Sequence, residues 1–394
     1  MSVKWIFFSG LIFILSLTRL YGQDSALIHK SIHKSKFIEA SYQRGKVLQT
    51  NDFVRGLNRQ HDPIDDFTAF SLRFGWNTSG EKLWQQLYHN PVYGIGVSAI
   101  RFQNNPELGK PVALYGFFST PLFLHQKLAL LFDAGFGMTF NWESFEVTDN
   151  TYNIAIGAEQ SVYIDLGLKM EYRITDHWKL GAGASFTHFS NGALKKPNMG
   201  INTFAPKLSL AYNFQPSTEF TKKDEIPDHK SANSISASFY AGWKNVLYTG
   251  TDVDSVTAFK GVYYNVYGLS AVVNRQISHK SKTGIGATIG YLGAANSSIT
   301  LENGKLDDND APLREGIELS IYPSYELMIN KLSLIIQPGF YVYRYSYDKQ
   351  TPVMYQRIGL KYHFFNNMFA GLNLHAYKFY ISDYIEWNIG YTFK

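Results

Sequence analysis

The sequence predicts an all-β, membrane-spanning protein, an antiparallel β-barrel built as two eight-stranded halves in tandem. Three observations predict it. Apolar and polar residues alternate with period two over segments long enough to cross a bilayer as strands. Aromatic residues make up 16% of the 394 residues, with 27 Tyr and 29 Phe, the excess that interfacial girdles of a barrel require. Beyond the N-terminus no apolar run is long enough for a transmembrane helix, and the mean hydropathy is only −0.18.

The alternation is clearest in two segments. From Leu128 to Trp142 one parity reads Leu128, Leu130, Phe132, Ala134, Phe136, Met138, Phe140 and Trp142, while the other is mainly small and polar. Near the C-terminus Ile385, Trp387, Ile389, Tyr391 and Phe393 share one face, and Glu386, Asn388, Gly390 and Thr392 share the other. Successive strand side chains point to opposite faces, so each segment has a greasy wall and a polar wall. The aromatic last strand resembles the signal read by the barrel-assembly machinery, which is the expected folding partner.

Roughly eight candidate strands lie between Phe37 and Phe214 and roughly eight more between Ser234 and Lys394. Short connections are expected at Thr175-Asp176, Leu124 to Gln126, Asn330-Lys331 and Asn366-Asn367. Long polar ones are expected at Gln49 to Asp65, Glu143 to Ala155 and Gly293 to Glu315. Residues 215–233 are rich in Lys, Asp, Glu, Pro and Ser and read as an exposed linker between a first barrel at 36–214 and a second at 234–394. One large barrel of about sixteen strands is the alternative. Two short echoes suggest a duplication: Ala40 to Gly45 with Ala237 to Gly242, and Gly167-Leu168-Lys169 with Gly359-Leu360-Lys361.

Residues 1–22 have the layout of a secretory signal peptide: Lys4, an apolar stretch from Trp5 to Leu17, then Gly22. A retained anchor is the alternative, but the stretch is short for a spanning helix. Export together with a barrel implies the outer membrane. With no cysteine, disulfides and thiolate chemistry are excluded. A net charge of +5, spread along the chain, indicates no nucleic-acid partner. The histidines show no metal-ligand spacing, and no cofactor is expected.

One stretch stands apart. Trp178, Leu180, Ala182, Ala184 and Phe186 form a greasy parity that His188 and Ser190 continue. In the following strand Asn202 precedes Phe204, Leu208, Leu210, Tyr212 and Phe214 on the greasy parity. A polar pair on a lipid-facing wall is costly unless partnered. Two explanations fit. Either the pair lies in the headgroup zone or an outer loop and bonds to water, or His188 activates Ser190 as a nucleophile. His-x-Ser alone leaves both open.

His188-Phe189-Ser190-Asn191, followed by Pro197-Asn198 and Gly200, resembles the motif of the outer-membrane lipid A 3-O-deacylases, an acyloxyacyl hydrolase-like family. Tyr93-Gly94-Ile95-Gly96 and Leu108-Gly109-Lys110-Pro111 are also similar to that family, and the resemblance covers about Phe37 to Phe214. It implies an eight-stranded barrel with a lipid-facing esterase site at its outer rim and lipid A, within lipopolysaccharide, as substrate. Ser190 would be the nucleophile, His188 its general base, and Asn198 an oxyanion donor.

The position of the family's orienting carboxylate falls on Asn202, a departure. Asparagine can accept a hydrogen bond from the imidazole but cannot supply the charge that steadies an imidazolium. Asp165 and Glu171 lie on the opposite parity and are poor substitutes. Lys195 and Lys196, in the motif loop, could meet lipid phosphates or could be a solvated turn.

In the second half Lys378 and Tyr380 fall where such a pair would be, and His375 sits on the other parity, so that half reads as non-catalytic. The leading expectation is a serine-type carboxylic-ester hydrolase acting on lipid A. The alternative is a non-enzymatic outer-membrane barrel, whether a pore, an adhesin or an inactive relative.

Overall fold

A computed structural model describes residues 35–103, 105–216, 226–247, 261–295, 300–302, 305–307, 309–345 and 352–394. The expected signal peptide and the middle of the expected linker lie outside the described residues. Among the described residues no helix is long and apolar enough to cross a membrane.

The first barrel comprises β1 (Lys36–Val47), β2 (Asp66–Asn77), β3 (Val92–Phe102), β4 (Gly109–His125), β5 (Leu128–Trp142), β6 (Ser161–Arg173), β7 (Trp178–Ser190) and β8 (Ile201–Asn213). The second comprises β9 (Ala232–Val246), β10 (Val262–Gln276), β11 (Ser281–Leu292), β14 (Ile317–Ile329), β15 (Leu332–Arg344), β16 (Met354–His363), β17 (Met368–Tyr377) and β18 (Ile381–Phe393). A small hairpin, β12 (Thr300–Glu302) with β13 (Lys305–Asp307), stands outside either sheet. Each set of eight closes on itself. Closure of the first joins β8 to β1, with Leu210 opposite Ala40, and closure of the second joins β18 to β9, with Tyr391 opposite Ala237. The single large barrel is thereby ruled out.

Closure sorts the two parities. On the outer wall apolar side chains are exposed, among them Leu72, Leu114, Phe136, Leu180 and Leu208 in the first barrel, and Leu269, Ile285, Trp387 and Ile389 in the second. Left in water, each such side chain would forgo about 1.5–3 kcal/mol of burial, which is why a bilayer is the medium that suits this wall. The wall is that of a membrane-spanning barrel.

Inside the first barrel the polar parity forms a charge network. The Arg73 guanidinium lies 3.1 Å from Asp133 and 3.4 Å from Glu39. Lys169 meets Glu39 at 2.5 Å, and Lys207 meets Asp165 at 3.7 Å. Three cations thus balance three carboxylates. Such a network is costly to break because a lone buried charge remains. Inside the second barrel Arg357 pairs with Glu386 at 2.7 Å, Lys244 with Asp383 at 2.8 Å and Lys361 with Glu326 at 3.0 Å.

The repeated fragments occupy equivalent strands. Ala40 to Gly45 lies on β1 and Ala237 to Gly242 on β9, each the first strand of its barrel. Gly167-Leu168-Lys169 and Gly359-Leu360-Lys361 lie on the sixth strands, β6 and β16.

The short turns match expectation at 126–127, 330–331 and 364–367, where Gln126, Asn330, Asn366 and Asn367 take positive φ. Two expectations need correction. Trp142 points inward rather than outward: Asn141 adopts φ 67° and the β4–β5 register shifts between Gly109 and Val112, so parity breaks one residue earlier. Trp142 is 3% exposed and its indole N–H donates to Thr139 Oγ1 at 2.7 Å.

The long connections 48–65 and 143–160 are not simply polar. Phe53, Val54, Ala155 and Ile156 are fully buried and join Leu108, Phe102, Trp142 and Phe189 in one apolar cluster across an end of the first barrel. In addition, 78–91 carries a short helix, α1 (Leu83–Leu87), that alternation could not signal.

Candidate active site

By compactness, the described residues up to 191 and those between 197 and 226 form one unit, and residues 192–196 with the described residues from 227 onward form a second. The candidate site is built within the first of these.

β7 positions two of its members. Gly181, Ser185, Thr187 and Phe189 point into the barrel, and Thr187 donates to Asp165 at 2.8 Å. His188 and Ser190 therefore fall on the outward parity of Trp178 and Leu180, where His188 is half-buried and Ser190 buried. The inward neighbour Phe189 packs on Trp142 and Tyr163, with ring centroids 5.3 and 5.7 Å away, and so fixes the strand end from within.

β8 supplies the third member. In the antiparallel register His188 stands opposite Asn202, which brings their outward side chains together. His188 Nδ1 lies 2.7 Å from Asn202 Oδ1, and His188 Nε2 lies 3.0 Å from Ser190 Oγ. An amide oxygen accepts only, so Nδ1 must carry the ring proton, and Nε2 then accepts from the serine hydroxyl. The chain Asn202–His188–Ser190 is thus continuous, with each link at hydrogen-bond length.

The loop between these strands is pinned from several sides. The Met199 and Gly200 N–H groups donate to the carbonyls of Ile154 and Ala155, both at 3.0 Å, and Asn51 Nδ2 donates to the Gly200 carbonyl at 2.8 Å. Gly200 has φ +72°, and a Cβ there would sit 3.1 Å from His188 Cε1. A side chain at 200 would press on the imidazole, so glycine is required.

Asn198 Oδ1 accepts from the Asn191 N–H at 3.0 Å, while its buried Nδ2 finds no acceptor among the described residues. Lys195 is exposed and Lys196 half-buried, and both belong to the segment grouped with the second unit. Asp165 and Glu171 face the barrel interior, Asp165 beside Lys207 and Glu171 beside Lys179 at 3.0 Å, away from the imidazole.

Sequence reasoning missed Thr50 and Asn51. Asn202 Nδ2 donates to Thr50 Oγ1 at 3.2 Å. Barrel closure was the available signal: if the first strand pairs with the eighth, residues just after the one lie beside residues just before the other.

In the second barrel His375 points inward. Its Nε2 accepts from the Tyr341 hydroxyl at 3.0 Å, its Nδ1 lies 3.5 Å from Asp383, and its ring stacks on Tyr384. Lys378 lies in the turn after β17 with φ 51°. Among the described residues no group of three or more His, Asp or Glu side chains is arranged to hold a metal ion.

Residues 68–213 match the family model described as lipid A 3-O-deacylase (PagL), and residues 233–394 match that described as acyloxyacyl hydrolase, C-terminal domain. The first match spans β2 to β8 and holds His188, Ser190, Asn198 and Asn202; Thr50 lies outside it. Three of the solved structures similar to the chain illustrate the likeness. The outer membrane enzyme PagL is 17% identical over 43% of this chain and 97% of its own, with a TM-score of 0.31. The ferric enterobactin receptor PfeA is 10% identical over 88% and 54%, with a TM-score of 0.25. OccAB1 of Acinetobacter baumannii is 12% identical over 91% and 95%, with a TM-score of 0.22. These structural likenesses are too slight to bear on function, and no curated protein matches the chain.

Proposed function

From the match of residues 68–213 to the lipid A 3-O-deacylase family we propose that the protein removes an acyl chain from lipid A by serine-type ester hydrolysis at a lipid-facing site. One observation carries the reading: Ser190 Oγ lies 3.0 Å from His188 Nε2 while Asn202 backs the ring at 2.7 Å, all on the outward parity. A substrate anchored in the outer leaflet reaches such a site from the side, with its acyl chain lying along the wall.

His188 Nε2 takes the Ser190 proton as Oγ bonds to the ester carbonyl carbon. The carbonyl π pair moves to oxygen, and the free Asn198 Nδ2 is a donor suited to that oxyanion. Collapse breaks the bond to the sugar oxygen, which takes the proton from Nε2 as it leaves. Water then attacks the acyl-serine carbonyl while Nε2 removes its proton. The second collapse releases the fatty acid and returns that proton to Ser190. The family match points to the 3-O ester. Lys195, exposed in the motif loop, is a candidate for the lipid A phosphates.

The test is fatty-acid release from purified lipid A by wild type and Ser190→Ala. Release by wild type and none by the variant is expected. Equal release from both would sink the serine mechanism, and none from either would favour a non-enzymatic relative. The remaining parts of the reading are a signal peptide at 1–22, a linker at 215–233, a non-catalytic second barrel at 234–394 and delivery by the barrel-assembly machinery. N-terminal sequencing of the mature protein tests the first of these, since a chain beginning at Met1 would refute it.

A further inference from the structure

A neutral amide in the orienting position has a difficulty that a carboxylate lacks. A carboxylate draws the Nδ1 proton by charge and offers two equivalent oxygens. An amide offers one acceptor and one donor, and only the acceptor can take the Nδ1 proton. With the amide nitrogen turned to the ring, the ring proton belongs on Nε2, and no lone pair remains there for Ser190. Asn202 has to be held for the site to work.

Its free end is held. Asn202 Nδ2 donates to Thr50 Oγ1 at 3.2 Å, while Oδ1 faces the imidazole. Thr50 is carried by a strap that leaves β1 and runs beside the start of β8. In that strap the Leu48 N–H donates to the Asn202 carbonyl at 2.8 Å, and the Thr50 N–H donates to the Leu48 carbonyl at 2.7 Å. Asn51 Nδ2 reaches the Gly200 carbonyl at 2.8 Å. The closing pair of β1 and β8, in which Val47 stands opposite Thr203, sets the register of the whole strap. Asn202 is therefore gripped at its carbonyl and at its side-chain nitrogen by one segment.

We propose that Thr50 is a positioning residue for the hydrolysis: its hydroxyl anchors the Asn202 amide in the plane that presents Oδ1 to His188, a mechanical restraint standing in for an absent charge. The inference rests on the Ser190–His188 reading above. Thr50 touches no reacting atom. Valine at 50 keeps the branched shape and removes the anchor, whereas serine keeps the anchor and loses a methyl.

The experiment is a double-mutant cycle on full-length folded protein, following fatty-acid release from lipid A. Thr50→Val is expected to lower kcat roughly tenfold with KM little changed, and Thr50→Ser to stay near wild type. In an Asn202→Asp background, where charge orients the ring, Thr50→Val is expected to cost less than about threefold. Equal losses in both backgrounds, a change in KM alone, or no loss would overturn the proposal. A second readout needs no turnover. Nuclear magnetic resonance of ¹⁵N-labelled imidazoles, with His188→Gln identifying the signal, should show the proton on Nδ1 in wild type and a mixture in Thr50→Val. An unchanged tautomer in the variant overturns the role of Thr50. A wild type that releases no fatty acid overturns the enzyme reading instead, and the tautomer measurement still decides on Thr50.

Discussion

The seventh strand of each barrel carries a histidine, and the two have opposite fates. His188 on β7 faces outward, beside Ser190 and opposite Asn202. His375 on β17 faces inward, 1% exposed, enclosed by Tyr341, Tyr355, Tyr384 and Asp383. The outward parity of β17 is apolar, with Leu372 and Leu374, and a register shift follows His375. Both histidines have an oxygen at each ring nitrogen, and what separates them is which wall they stand on. A buried ring packed among tyrosines is a stabilising element of the lumen, whereas the proposed function needs an outward ring with a hydroxyl on Nε2.

The sharpest way to break this comparison is to remove each member of the pair in turn. Ser190→Ala should lower ester hydrolysis by about 10³-fold or more, and His188→Ala nearly as much, because bond making and proton transfer are both lost. His375→Ala should leave kcat unchanged while costing on the order of 3 kcal/mol of stability, through the lost ring packing. Fatty-acid release and heat-induced loss of the folded band on unheated gels measure the two effects. A matching loss of activity in His375→Ala would show that the second barrel takes part in the chemistry.

Next in size are the lumens. Arg73→Ala leaves Glu39 with Lys169 alone and Asp133 with only the more distant Lys207 at 4.0 Å, and Arg357→Ala leaves Glu386 buried without its cation. Each should cost about 3–5 kcal/mol, read as a lower unfolding temperature. If Arg73→Ala were neutral, the first network would not be a stabilising element of the barrel. Smaller again is Asn202→Ala, expected to lower activity roughly tenfold, since alignment is lost but no charge. Asn202→Glu should restore or raise activity by supplying one. Equal losses in Asn202→Ala and Ser190→Ala would mean that the amide does more than orient.

Much of this molecule was legible because alternation is a local signal. Strand number, the two closures and the outward parity of His188 follow from which residues are greasy and where turns fall. Parity fails at Trp142, where the positive φ of Asn141 and a shifted register rotate the last residue inward. A period cannot foresee a break that is made by backbone conformation. The contents of the long loops were read as polar because most of their residues are, yet Phe53, Val54 and Ile156 fill the end of the barrel. Thr50 was invisible for a different reason: it lies far from Asn202 in sequence, and only the seam between first and last strands brings them together.

That seam has a temporal meaning. Ser190 and His188 ride on the seventh strand and Asn202 on the eighth, while the strap that grips Asn202 hangs from the first. The proposed catalytic group is therefore divided between the earliest and the latest strands of its barrel, and no partly zipped sheet contains all of it. A chain still in transit, with its edges open, carries the serine and the histidine without a held asparagine. On the proposed function, competence then arrives with the last row of hydrogen bonds, and the same event that seats the barrel in its membrane would switch it on.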